Sequence, residues 1–112
     1  MKQIPPALAL TIWIVLTIAT GARSETLGER IYFETCALCH GEDGAGAMPG
    51  IPDLNGPGSS LGKPNAVLLR SILEGIERED LPTPMPPKGG NEDLTEEGAR
   101  QVLDYMRRTF GN

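Results

Sequence analysis

Cys36-Ala37-Leu38-Cys39-His40 contains both cysteines and the single histidine of a 112-residue chain. On one turn of helix, positions i, i+3 and i+4 lie on a common face. Two thiols and an imidazole are therefore presented together, a few side-chain widths apart. Haem carries vinyl groups on adjacent pyrroles with an iron beside them. Thiols at this spacing can each add to a vinyl group, which leaves the next residue beneath the iron as an axial ligand. In an exported chain the pattern C-x-x-C-H reads as a c-type haem attachment site. The expectation is one covalent haem c, held by Cys36 and Cys39, with His40 as proximal iron ligand. Plainer readings fit less well. A redox C-x-x-C would sit on a βαβ pattern, which is absent here. A zinc site wants four ligands, and no second Cys/His pair exists.

Export is read from the N-terminus. Lys2 precedes an apolar run from Ala7 to Ala19, and small residues follow at Thr20-Gly21-Ala22. This is the pattern of a secretory signal, and the run is shorter than the roughly 20 apolar residues of a membrane span. Cleavage fits after Ala22 or Ser24, with Ser24 favoured. Residues 1–24 are then signal and 25–112 the folded domain, in the periplasm. The alternative is an uncleaved membrane anchor over residues 7–20.

Losing Lys2 and Arg23 takes the net charge from −5 to −7 and leaves 88 residues with two Tyr and two Phe. A domain of this size is marginal on apolar burial alone and needs a staple. A covalent haem would supply it. The acidic balance argues against nucleic acid as partner, because phosphate binding requires a basic surface.

Helical periodicity marks three segments and predicts an all-α fold. The first covers Thr26 to His40 and stops at Gly41, with Leu27, Ile31 and Leu38 on one side and Gly28, Tyr32, Cys36 and Cys39 on another. The second covers Asn65 to Glu74 and ends at Gly75. The third runs from Thr95, an N-cap, to Phe110, with Ala99, Val102, Leu103, Met106 and Phe110 as its apolar face. Between them lie Gly41 to Pro64, with seven Gly and four Pro, and Gly75 to Glu92, with a Pro-rich centre. Neither alternates as a strand does. Loops this long suit so small a domain only when wrapped around something that completes its core.

With one histidine, bis-histidine ligation is excluded, and thioether sulfur is the other ligand of electron-transfer c haems. Met106 reads as core of the last helix. Met48 follows His40 by only eight residues, which makes the distal face awkward to reach. Met85 lies 45 residues on, between Pro84 and Pro86, which stiffen the backbone around it. Met85 is the favoured distal iron ligand; Met48 and an open or water-ligated iron are the alternatives.

Nearly the whole exported chain resembles the class I (monohaem) c-type cytochromes of the bacterial periplasm. Gly28 and Tyr32 stand where that family has a Gly and an aromatic on its first helix. Tyr105 matches the aromatic of its last helix, and these helices cross in the family fold. Ile51-Pro52-Asp53-Leu54 resembles the loop whose Pro carbonyl fixes the ligand imidazole, and Ile72-Leu73-Glu74-Gly75 with Met85-Pro86 resembles the distal helix and Met-Pro motif. The ending from Tyr105 to Asn112 is similar to those of small haem subunits of periplasmic dehydrogenases. The resemblance implies a small cytochrome c fold of three to four helices around one haem.

Function follows in two forms. The leading one is a periplasmic one-electron carrier, free or as the haem subunit of a dehydrogenase, and not itself an enzyme. The alternative is a haem-based gas sensor or peroxidase with a displaceable sixth ligand; against it, no distal His or spare acid–base group is present. Leu54, Leu61, Val67, Leu68, Ile72 and Ile76 are the expected pocket walls. Glu42-Asp43 and Glu77-Arg78-Glu79-Asp80 read as solvated charge or as a docking surface. Redox partners are expected to present a basic patch, with a membrane involved only if the signal stays attached.

Overall fold

The computed structural model describes residues 2–3 and 23–111. The expected export signal over residues 1–24 lies almost wholly outside the described residues. No helix among them is long and apolar enough to cross a membrane.

Among the described residues four α-helices carry the domain: α1 (Leu27–Ile31), α2 (Ala37–His40), α3 (Asn65–Glu74) and α4 (Glu96–Phe110). A π-helical turn, Tyr32–Cys36, joins α1 to α2 without a break, and short 3-10 turns sit at Ser60–Gly62 and Pro87–Gly90. There is no strand among the described residues. An antiparallel bridge pairs Ile76 with Met85.

Local chemistry sets the helix ends. Thr26 Oγ1 accepts from Glu29 N–H at 3.2 Å at the start of α1, and Thr95 Oγ1 accepts from Gly98 N–H at 3.0 Å at the start of α4. Each satisfies one of the orphan donors of a first turn. Glu96 and Glu97 open α4 and Arg107 and Arg108 close it, in the sense favoured by the helix dipole.

The core forms where α1 crosses α4. Gly28 is buried there, and a Cβ on it would fall on the Gln101 carbonyl oxygen. Only glycine lets the two backbones approach so closely. The aromatics of the domain gather at this crossing. Tyr32 stacks near Phe110 and Tyr105, with ring centres 5.2 and 5.5 Å away, and Phe33 lies edge-on to Tyr32 at 5.7 Å. Such tilted and edge-on pairs are the favoured aromatic geometries. Ala99, Val102, Leu103, Met106 and Phe110 are all buried, as the periodicity of α4 requires.

The first helical stretch departs from its expected pattern. Leu38 is 82% exposed and Leu27 49% exposed, so the Leu27, Ile31, Leu38 stripe is not a buried face. Only Ile31 packs against the core. For Leu38 the reason is the π turn, in which Ala37 N–H reaches back five residues to the Tyr32 carbonyl. A wider turn changes which side chains follow one another along the axis. The Gly28 and Tyr32 face meets α4, and beyond the turn the Cys36, Cys39 and His40 face takes over.

Candidate functional site

Cys36, Cys39 and His40 line one cavity, and Met85 lines the same cavity. Its walls come from the end of α2, the loop around Leu54, the 3-10 turn at Leu61, one face of α3 and the Met85 segment. Leu54, Leu61, Leu68, Ile72 and Ile76 are in the wall as expected. Val67 is not: it lies 46% exposed on the far side of α3, because Leu68 and Ile72, four apart, take the inward face.

Backbone hydrogen bonds hold the end of α2 in place. Gly46 N–H bonds to the His40 carbonyl at 2.7 Å and Ala47 N–H to the Cys39 carbonyl at 2.8 Å. The buried Tyr32 hydroxyl donates to the Gly41 carbonyl at 2.6 Å. Three successive carbonyls at the helix terminus are thereby satisfied by groups from outside it, where terminal carbonyls otherwise lack partners.

Met85 is held from its backbone. Ile76 and Met85 exchange two hydrogen bonds, each 2.9 Å, directly after α3. Gly75 makes that approach possible. It sits at φ 79°, and a Cβ there would strike the Met85 carbonyl oxygen and the Pro87 nitrogen. Thr83 Oγ1 donates to the Pro49 carbonyl at 3.0 Å, tying the Met85 loop to the loop after α2. Among the three methionines of the domain, Met106 is buried core that also reaches the cavity, and Met48 is 41% exposed and outside the lining.

The electrostatics suit a metal. Burial pushes the His40 imidazole below its usual titration range, which favours the neutral ring with a free lone pair. His40 Nδ1 is buried without a hydrogen-bond partner. Pro52 lines the cavity, yet the expected bond from Nδ1 to its carbonyl is not made. Burial, with Cys39 adjacent, pushes the Cys36 thiol up to about 11. Both thiols are free of any disulfide.

These features fit a haem. An apolar cleft matches a porphyrin's faces, two unpaired thiols match its two attachment points, and the half-buried His40 beside them, held in its neutral form, offers a ring nitrogen lone pair to iron. No cluster of His, Cys, Asp and Glu suited to a bare metal ion occurs among the described residues. The fold and the site together are those of a small c-type cytochrome, all-α and built around one covalent haem c. The family model described as cytochrome c oxidase, cbb3-type, subunit III matches residues 23–106. The chain belongs to that family.

Sequence reasoning missed Lys63, Arg78, Leu81 and Leu103 in the lining. Leu103 was legible only as core of α4. Arg78 was hidden within an acidic run, where its being the one cation was the available signal.

Proposed function

We propose that this protein is a periplasmic one-electron carrier whose haem iron is held by His40 and Met85. It would serve as a free carrier or as the haem subunit of an oxidoreductase complex. The supporting observation is that His40 and Met85 line one apolar cavity whose lining, among the described residues, holds no Asp, no Glu and no second imidazole. With neither a carboxylate nor a second imidazole to relay protons to a bound peroxide, the site favours carrying charge over peroxide chemistry.

Haem iron with an imidazole and a thioether cycles between two oxidation states with little change of structure. The chain's own groups serve that end. The Cys39 and His40 carbonyls are pinned by Ala47 and Gly46, so the imidazole stays seated. The bridge between Ile76 and Met85 does the same for the thioether. Leu54, Leu61 and Leu68 exclude water, and low polarity around a neutral sulfur ligand favours the reduced state. Docking follows from charge. At −7 for residues 25–112, the protein is steered towards a basic patch on its partner, with association slowing as salt rises.

A carbon monoxide difference spectrum of the reduced holoprotein tests the ligand set. The expected result is no change for the native protein and stoichiometric binding for Met85→Ala. Rapid binding by the native protein would overturn Met85 ligation and put gas sensing or peroxidase chemistry in front.

A further inference from the structure

We infer that Lys63 and Arg78 form the seat of the haem's two carboxylates. The chain has 15 Asp and Glu against 10 Lys and Arg, yet among the described residues the cavity lining includes both of these cations and not one carboxylate. An acidic protein that keeps every acid out of one cavity, and admits two bases, has a lining shaped for an anion. The rest of that lining is chiefly apolar. Haem has the matching polarity, with an apolar ring and two carboxylates on one edge.

Burying a carboxylate edge without partners is strongly unfavourable. Charge-assisted hydrogen bonds offset this, and a guanidinium can grip a carboxylate through two N–H groups at once. The backbone brings both cations to the cavity by separate routes. Lys63 ends the 3-10 turn, where Arg107 Nη2 of α4 donates to its carbonyl at 2.7 Å. Arg78 stands two residues beyond Ile76, whose bridge to Met85 fixes that stretch of chain. Arg78 Nε pairs with Asp80 at 3.2 Å, with both side chains largely exposed. A surface pair of this kind contributes little, so a carboxylate at the cavity can take the guanidinium from it. The run Glu77-Arg78-Glu79-Asp80 is thus more than solvated charge: its one cation has a task.

The inference rests on the haem itself and not on which group fills the sixth position. Its test is the pH dependence of the reduction potential of the holoprotein, alongside the yield of covalently attached haem. With both cations present the carboxylates stay ionised, and the potential is flat between pH 5 and 8. Losing an opposite charge raises a carboxylate's pKa by about 1–3 units. In Lys63→Met and in Arg78→Met the potential should therefore fall with rising pH inside that window, and the double variant should show the larger effect. Lys63→Arg and Arg78→Lys should restore a flat profile, and Asp80→Asn should leave it flat. The other titratable groups at the cavity are His40, which the iron occupies, and Cys36 and Cys39, which the thioethers occupy.

A double variant that attaches haem normally and keeps the native profile overturns the inference. A slope in only one of the single variants overturns the paired seat. If the double variant fails to accumulate, the two single variants decide by the same reading.

Discussion

Tyr32 shows how much one polar atom does at a haem-bearing helix. Its ring belongs to the aromatic core, and its hydroxyl bonds the carbonyl next to His40. Tyr32→Phe keeps the ring and leaves a buried carbonyl without a donor, which should cost about 1–3 kcal/mol of stability in urea unfolding. A pH dependence follows as well. Burial, reinforced by Tyr105 and Asp43, holds the Tyr32 phenol well above its usual range. Above about pH 10 an unfolded chain has released that proton and the folded chain has not, so stability falls as pH rises further. The alkaline slope should be shallower in Tyr32→Phe.

Helix ends and faces can be tested element by element. Thr95→Ala removes the cap of α4 and should cost about 1 kcal/mol. The π turn makes a sharper prediction, since periodicity alone treats Leu38 and Leu103 as equals on their respective helices. Leu38 faces solvent and Leu103 is buried. Leu38→Ser should change stability by less than about 0.5 kcal/mol, whereas Leu103→Ala should cost about 2–5 kcal/mol. Thermal or denaturant unfolding of the two holoproteins, side by side, checks the assignment. Equal losses would mean that Leu38 packs inward after all.

Across the whole molecule, the haem completes the core. Among the described residues, twelve buried hydrophobic side chains make up the protein's own core, and several of them, Leu54, Leu61, Leu68 and Ile72 included, also line the cavity. Without a group in that cavity their contacts are one-sided, and lost dispersion contacts of this kind weaken a small domain severely. Cys36→Ala with Cys39→Ala, expressed beside the native chain, should give a protein lacking a cooperative thermal transition and fixed near-ultraviolet dichroism. A haem-free double variant with a sharp, native-like transition would show that helix crossing suffices.

The class of fold and most of the site were legible in the sequence, because both rest on local chemistry. The C-x-x-C-H spacing, the cap at Thr95, the stops at Gly41 and Gly75 and the inward face of α4 each depend on neighbours within a turn or two. What only tertiary structure decided depends on residues far apart in the chain. The π turn bends the rule that places Leu38, the direction of α3 leaves Val67 outside, and the pairing of Ile76 with Met85 carries a thioether to the cavity across a Pro-rich loop. The gathering of Lys63 and Arg78 at a cavity free of acids belongs there too. Local hydrogen bonds and periodicity are written in short stretches of sequence. Which distant side chains share one wall is set by how helices cross, and that is settled only when the chain closes.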